Sequence, residues 1–434
     1  MLAVLMLRCK LPLRARGGRI KRLGARPGVK RPNMDVSGSD GKSELDAIGA
    51  RGPSKWTAGV ASVARIDSRA WVNMGSARLR DMARDLWGPW MAEPRVNMAR
   101  VASLSTQGIA CKRRARLFMP NSAKPGCPLL VMLHGCLQDA ESFARLTRMD
   151  GLAREHGFCV LYPDQDVGAN AMRGWNWNGA EHQRRLGGEP EAIAALVAQA
   201  QKMLGSTPKR TGLAGISAGG AMAATMAHLY PELIGAVAQV SAPAPYTAKS
   251  TREALREMKM GPGPRVGAEA CAAAMEAKRR GEGGKKRLPA LIVHGMSDEA
   301  VDVSHASALE QAGLMLNAAL GTARPGEGKW RVEQSEQEGG IARVWRDPEG
   351  LVVAALVSPA ALGHAWSGGD RSEPFSQEGF DQSRLLVDFF KAAREGDWSG
   401  FEAAALAERL WAGALGPAEH APKAAGPSPR APKG

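Results

Sequence analysis

A serine flanked by glycines lies near the middle of this 434-residue chain, in the sequence GISAG at residues 215–219. Alone, this G-x-S-x-G pattern is a weak signal, because a chain with 51 glycines matches it easily by chance. Its surroundings strengthen it, since the apolar run TGLAGI leads into Ser217 and an Ala/Met-rich stretch leads out. A strand, a tight turn and a helix would hold the hydroxyl clear of the backbone as a nucleophile. The alternative is an ordinary glycine-rich turn.

A nucleophilic serine needs a histidine base and an acid that orients the histidine. Where the serine lies on a strand–turn–helix, the three residues follow along the chain in the order Ser, Asp/Glu, His. Asp298 follows the apolar segment ALIV and is the predicted orienting acid. The rival carboxylates are Glu299 and Asp302. His364 follows a further apolar segment and is the predicted base. His305 falls inside a predicted helix and His420 in a polar tail, so elimination also favours His364.

Backbone N–H groups must also stabilise the negative charge that develops on the attacked oxygen. The first predicted donor is the N–H of Ala218, directly after the nucleophile. The second is the N–H of Cys136, in the HGC turn that follows the apolar run PLLVMLH. We expect His134 to be a structural histidine at a strand end. A thiol nucleophile at Cys136 is a distant alternative, since no histidine is evidently paired with it.

Strands and helices alternate along the chain around these residues. Predicted strands cover residues 128–134, 158–162, 210–216, 236–240 and 290–293, and a hairpin covers 342–345 and 352–357. Predicted helices cover residues 141–157, 191–204, 218–230, 303–320 and 380–394. This alternation predicts an α/β fold with a mostly parallel central sheet and helices on both faces. Ligands of such sheets lie at the carboxyl ends of the strands, where Ser217, Asp298 and His364 are expected.

The net charge of +15 is concentrated at one end of the chain. Ten Lys or Arg and no acidic residue occur in the first 33 residues, so nucleic-acid binding by the rest is not expected. The predicted organisation is a disordered basic tail (1–55), a partly helical extension with a helix at 76–87 (56–109), the catalytic domain (110–395) and a mostly flexible extension (396–434). A basic, Gly/Ala-rich segment at 248–287 interrupts the alternation and is predicted to be a surface loop or a lid.

Several classes of protein are disfavoured by composition. No apolar run reaches the roughly 18 residues of a membrane span. The six cysteines form neither a CxxC pair nor a dense framework, so no metal site is predicted, although one incidental disulfide is possible. The apolar residues 1–7 are too short for the core of a secretory signal and lack a basic head. Either no signal is present or translation starts further in, for example at Met34 or Met74.

Seven motifs together resemble the poly(3-hydroxybutyrate) depolymerase family of esterases, to which feruloyl and acetylxylan esterases are related. They are LHGCLQD (133–139), RMDGLAREHGFCVLYPDQ (148–165), GWNWNG (174–179), GEPEAIAALV (188–197), GISAGGAMA (215–223), HGMSDEAVD (294–302) and GHAWSGG (363–369). The resemblance spans about residues 110 to 392. It implies an α/β-hydrolase domain, a triad of Ser217, Asp298 and His364, and Cys136 in the oxyanion loop. It also implies an extracellular protein, while the lack of a convincing secretion signal leaves a cytoplasmic location open.

The chain departs from the family pattern in two respects, which bear on the expected disulfide and on the expected substrate. Members often carry a cysteine just before the W-N-W motif, where this chain has Gly174, so a disulfide from Cys136 to that loop is not expected. About 40 residues follow the last predicted helix, too few for a polymer-binding domain, so activity on crystalline polymer is not expected. Trp175 and Trp177 either line the acyl pocket or are buried packing.

The resulting expectation is a serine esterase without metal or organic cofactor, acting on short hydroxyalkanoate oligomers or similar acyl esters. A serine peptidase or an acyltransferase on the same fold is the alternative within enzymes. A non-catalytic hydrolase-like protein that binds partners through its basic tail is the alternative from another class. The oligomeric state is left open.

Overall fold

The computed structural model describes residues 99–106, 111–263, 266–279, 287–321 and 330–415. The predicted tail at 1–55, the predicted helix at 76–87 and the last residues, 416–434, lie outside this part of the chain. Within it, one large sheet, one two-stranded sheet and nine α-helices are described.

The sheet has ten strands. They are β1 Ala99–Ser105, β2 Arg114–Pro120, β3 Leu129–Leu133, β4 Cys159–Asp164, β5 Thr211–Ile216, β6 Ala236–Val240, β7 Ala290–Val293, β8 Arg331–Gln337, β9 Gly340–Arg346 and β10 Val352–Pro359. Their spatial order is β1-β2-β4-β3-β5-β6-β7-β10-β9-β8. The six central strands, from β4 to β10, run parallel, and the outer pairs on both sides are antiparallel. Two short strands, β11 Trp366–Ser367 and β12 Ser376–Gln377, pair separately.

The nine helices connect or flank these strands. They are α1 Ala140–Thr147, α2 Met149–His156, α3 Glu189–Leu204, α4 Ala218–Leu229, α5 Thr251–Met260, α6 Val266–Arg279, α7 Ser304–Ala319, α8 Gln382–Glu395 and α9 Ala403–Leu415. Every residue of β3, β5, β6 and β7 is buried, as expected of parallel strands covered on both faces. The predicted α/β architecture with a mostly parallel sheet is therefore confirmed.

The single helix predicted at 141–157 is wrong, because the structure has two helices there. The break lies at Arg148, whose backbone is left-handed with φ 52°. The N–H of Arg148 closes the last turn of α1 on Arg145 O. No glycine or proline marks this position, so the sequence carries no ordinary signal of the break.

The segment predicted as a surface loop or lid, 248–287, contains the helices α5 and α6. Helix α6 packs against α7, with Ala270 and Ala312 buried in one small cluster together with Tyr246. The described part of this segment is thus helical, and α6 adds to the core rather than lying free on the surface.

Two described elements lie outside the predicted catalytic domain, 110–395. Strand β1 begins at Ala99, ahead of the predicted start at 110, and pairs with β2. Helix α9 lies in the extension predicted to be mostly flexible, yet its Leu406, Ala407 and Leu410 are buried in the main core cluster with Phe401. The apolar face of α9 covers the β8–β9 side of the sheet, so this helix packs on the core.

Candidate active site

Ser217 occupies a strained turn between β5 and α4. Its φ of 55° and ψ of −123° are unusual for a residue with a side chain. The turn is held by a hydrogen bond from Ser217 N to Val240 O of the neighbouring strand, 2.9 Å. A Cβ at Gly215 would lie 2.3 Å from Gly219 O, and one at Gly219 would lie 2.2 Å from Leu133 O. The flanking glycines are therefore required because α4 crosses β5 and β3 at backbone contact distance.

The structure brings Ser217, His364 and Asp298 into one line of hydrogen bonds. Ser217 Oγ lies 3.0 Å from His364 Nε2, and His364 Nδ1 lies 2.8 Å from Asp298 Oδ2. The histidine therefore carries its proton on Nδ1 when it accepts from the serine hydroxyl. The Asp298 side chain is 0% exposed and that of His364 15%, so the base faces the solvent side and the acid lies behind it.

Both oxygens of the Asp298 carboxylate accept hydrogen bonds, and Oδ2 is the one that faces His364. Its Oδ1 accepts hydrogen bonds from the backbone N–H groups of Ala300 (2.8 Å) and Val301 (2.9 Å). Burial alone would raise the pKa of Asp298, but the hydrogen bond and charge of His364, together with the N–H of Val301, outweigh burial and lower it. The acid is thus an ionised acceptor at neutral pH.

The two rival carboxylates have other roles. Asp302 Oδ1 accepts from Ser304 N, 3.0 Å, at the start of α7. Glu299 is exposed, and its backbone carbonyl accepts from Lys259 Nζ. Neither carboxylate makes a hydrogen bond to His364, whereas Asp298 does.

His294 is a site residue that the sequence reasoning missed. It is fully buried, its Nε2 donates to Val301 O at 3.0 Å, and the same nitrogen lies 3.6 Å from Asp298 Oδ2. Burial lowers its pKa, so the ring is neutral at pH 7. Its hydrogen bond fixes the turn whose N–H groups hold Asp298. The sequence feature that could have indicated its role is its position four residues before Asp298, in HGMSD.

The loop at residues 134–139, which we call the oxyanion loop after its predicted role, follows β3 and lies beside the Ser217 turn. Gly135 N donates to Gln138 Oε1 at 2.8 Å, and Leu137 N donates to Met172 O at 2.7 Å. Between them, the N–H of Cys136 has no acceptor within the described part of the chain, and neither has the N–H of Ala218. A Cβ at Gly174 would contact the side chains of both Cys136 and Ala218, so these two residues lie side by side.

The Cys136 thiol is poorly suited to be the nucleophile. Burial raises its pKa to about 11, so it is protonated at neutral pH. The site histidine instead faces Ser217. Because residue 174 is glycine, it offers no thiol with which Cys136 could form a disulfide. The four described cysteines, 111, 127, 136 and 159, are free.

The two tryptophans proposed for the acyl pocket are buried. Trp175 is 1% exposed and Trp177 is 5% exposed. The Trp175 ring lies 5.6 Å from that of His134, which accepts from Gln165 N through Nε2 at 3.1 Å. Both indoles are thus enclosed by protein, and Trp175 packs against the histidine that begins the loop after β3.

Within the residues that the structure covers, no group of His, Cys, Asp and Glu side chains is arranged to hold a metal ion. In the same part of the chain no helix is both long and apolar enough to cross a membrane.

A strained serine between a parallel strand and a helix, with a histidine and a carboxylate from later strand ends, defines an α/β-hydrolase. Comparison with known families agrees with this class. The model of the family described as "Esterase PHB depolymerase" matches residues 114–334, just over half of the chain. The chain belongs to this family.

Individual relatives are similar over parts of their length. Poly(3-hydroxyalkanoate) depolymerase C of Paucimonas lemoignei is 31% identical over 123 residues, which cover 28% of this chain and 30% of that protein. Feruloyl esterase B of Neurospora crassa is 30% identical over 129 residues, which cover 30% of this chain and 43% of that protein. The chain thus matches less than half the length of these curated relatives.

One solved structure shows the same fold. The acetyl xylan esterase from Aspergillus awamori superimposes with a TM-score of 0.50 over 61% of this chain and 94% of its own. The two sequences are 18% identical, so the likeness concerns the fold alone.

Proposed function

We propose that this protein is a serine esterase that hydrolyses carboxylic esters through an acyl-enzyme. The observation that carries the proposal is the unbroken line of hydrogen bonds from Ser217 Oγ through His364 to the buried Asp298 carboxylate. Such a line can remove the serine proton as the hydroxyl attacks an acyl carbon. Membership of the family supports esters as the substrates.

The reaction has two halves that use the same groups. His364 Nε2 takes the proton of Ser217 as the oxygen attacks the ester carbonyl, and then gives that proton to the leaving alcohol. In the second half, water attacks the acyl-enzyme with His364 again as base. Asp298 keeps Nδ1 protonated and stabilises the imidazolium that forms in each half, since its lowered pKa keeps it ionised.

The tetrahedral intermediates carry negative charge on the former carbonyl oxygen. The N–H groups of Cys136 and Ala218, which have no acceptor among the described residues, are proposed to receive it. Ala218 is also the first residue of α4, so the helix dipole favours an anion at the same place.

The proposed substrates are short hydroxyalkanoate oligomers or small acyl esters of similar size. The relatives, which include a polyhydroxyalkanoate depolymerase, a feruloyl esterase and an acetylxylan esterase, support this range. Trp175 and Trp177 are proposed to support the substrate side of the site from behind, through the loop that carries them.

The first test is hydrolysis of p-nitrophenyl butyrate by the wild type, Ser217→Ala and a matched control, Ser372→Ala, at an exposed serine. We expect the wild type and the control to be equally active, and Ser217→Ala to lose roughly a thousandfold or more in kcat/KM. Equal activity of all three would refute Ser217 as nucleophile. Inactivity of the wild type towards esters of several chain lengths would favour a non-catalytic protein. Faster turnover of a matched p-nitroanilide would favour a peptidase.

A further inference from the structure

A fully buried carboxylate, Glu189, lies behind the oxyanion loop at the first residue of α3. Its Oε1 accepts hydrogen bonds from Arg113 Nη2 (2.8 Å), Gln165 Nε2 (2.6 Å) and Asn176 Nδ2 (2.7 Å). Its Oε2 accepts from the backbone N–H of Asn176 at 2.8 Å. A buried charge persists only when its hydrogen bonds are satisfied, so these four donors are fixed in place by the carboxylate.

Three of the four donors belong to residues 165–176, which we name the bracing loop. This loop has no helix or strand of its own. Because its backbone lacks regular pairing, its conformation depends on such side-chain contacts. Gln165 Nε2 also donates to Gly174 O at 3.0 Å, which links the carboxylate to the part of the loop nearest Cys136.

The bracing loop in turn holds the oxyanion loop. Leu137 N donates to Met172 O at 2.7 Å, directly after the candidate donor Cys136. Arg173 donates to Asp139 at 3.4 Å. Further contacts are Gln165 N to His134 Nε2 and the Trp175 ring against His134. Contacts along residues 134–139 therefore connect the oxyanion loop to the loop that Glu189 orders.

We propose that Glu189 is a positioning residue for the oxyanion hole. The inference rests on the proposed function, because it assigns Glu189 the task of fixing where the Cys136 N–H points. Donors aimed at the oxyanion stabilise the transition state and not the bound ester. Loosening them should therefore lower kcat and leave KM nearly unchanged.

The test compares Glu189→Gln with Glu191→Gln, a charge-matched control on the same helix whose carboxylate accepts from Gly187 N at the surface. We expect Glu189→Gln to lose roughly 10- to 100-fold in kcat per folded molecule, part of the loss that removing one oxyanion donor causes. KM should stay within about twofold, and Glu191→Gln should match the wild type. Activity is measured well below each melting temperature, with the folded fraction checked by circular dichroism.

The activities of these variants distinguish a wrong positioning role for Glu189 from a wrong esterase function. If the wild type hydrolyses esters, Ser217→Ala does not, and Glu189→Gln keeps a normal kcat or changes only KM, the positioning role is wrong while the esterase stands. If Glu189→Gln does not fold, Asn176→Ala decides, because it removes one donor to Glu189 and keeps the backbone N–H. A lowered kcat at constant KM supports the role, and an unchanged kcat overturns it.

Independently of Glu189, two buried cysteines lie at the amino ends of the adjacent central strands β3 and β4. Cys127 precedes β3 and Cys159 begins β4, and their Sγ atoms are 2.8 Å apart. The two chain segments are held together by the hydrogen bond from Cys159 N to Pro128 O, 2.8 Å. Non-bonded carbon atoms pack at about 3.5–4.0 Å, so the larger sulfur atoms are unusually close.

We infer that Cys127 and Cys159 form an intrachain disulfide in an oxidising compartment. Closing the bond at about 2.05 Å requires the sulfur atoms to move by roughly 0.8 Å. With oxidised glutathione as the oxidant, the Cys127 thiolate displaces one glutathione thiolate, and the Cys159 thiolate then displaces the second. Two protein thiols become one disulfide, and one oxidised glutathione becomes two reduced molecules. The hydrogen bond from Cys159 lowers the pKa of Cys127, which favours it as the attacking thiol.

The test treats the wild type, Cys127→Ser and the control Cys111→Ser with oxidised glutathione and measures intact mass and melting temperature. We expect the wild type and control to lose about 2 Da in one bridge, found as a 127–159 peptide pair, with a melting temperature raised roughly 5–10 °C and restored by dithiothreitol. Cys127→Ser should show neither change. A stable glutathione adduct on Cys127, or no reaction, would overturn the inference. Both results are independent of esterase activity.

Discussion

The substitution Gly219→Ala, which adds one methyl group, tests whether the candidate site depends on the close approach of α4 to β3. The added Cβ would lie 2.2 Å from Leu133 O and 2.5 Å from His134 O, against an ordinary contact of 3.4 Å or more. Both obstacles are backbone atoms, so α4 and β3 must separate by about 1 Å. Overpacking of this kind costs about 1–3 kcal/mol, which corresponds to roughly 2–10 °C in melting temperature.

The same movement should impair catalysis. Helix α4 begins with the candidate donor Ala218, and β3 leads into the loop with the other donor, Cys136. Separating the two elements moves the donors apart, so we expect Gly219→Ala to lose roughly tenfold or more in kcat. The assays are thermal unfolding followed by circular dichroism and hydrolysis of p-nitrophenyl butyrate.

Gly151→Ala is the matched control, because it adds the same atoms where nothing lies within 4 Å of the new Cβ. Gly151 is inside α2, where alanine is favoured over glycine by about 0.5–1 kcal/mol, so this variant should melt slightly higher and keep its activity. The reasoning is refuted if Gly219→Ala melts with or above the wild type, or if both variants fall by the same amount.

Three further predictions concern the acid of the site, its pH dependence and helix α9. Asp298→Asn should lower kcat by up to about 10⁴-fold, because the amide no longer holds His364 in the right tautomer, as measured by ester hydrolysis. Folding lowers the pKa of Asp298, so its charge stabilises the protein above the unfolded-state pKa of about 3.9, and this is lost as pH falls through the folded pKa. The melting-temperature gap between wild type and Asp298→Asn should therefore shrink at acid pH. Leu406→Ala should destabilise by about 2–5 kcal/mol in urea unfolding, because Leu406 is 1% exposed; a change below 0.5 kcal/mol, about the surface value, would contradict a core role for α9.

The central strands and the order of the proposed triad were accessible from the sequence. Strands β3, β5, β6 and β7 are short apolar runs buried on both faces, and such runs stand out between turns. The glycines around Ser217 mark the turn because only glycine tolerates the crossing. The candidate site is therefore recognisable in the sequence at those positions where backbone geometry restricts the type of residue.

Other features left no such pattern. Strand β8, RVEQSEQ, is almost entirely exposed at the sheet edge and has no apolar alternation to recognise. The break at Arg148 depends on a left-handed residue that is not glycine. The buried set around Glu189 joins residues from 113 to 189 that are separated along the chain, so only tertiary structure reveals that they meet.

The polar edge strand also bears on how copies of this protein meet in concentrated solution. An unpaired strand offers N–H and C=O groups to any other extended chain, which is a route to aggregation. Along β8, Arg331, Glu333 and Glu336 are exposed, and a second strand added there would have to accommodate their charges. The charged residues that make β8 hard to recognise in the sequence thus also oppose the addition of a further strand at this edge of the sheet.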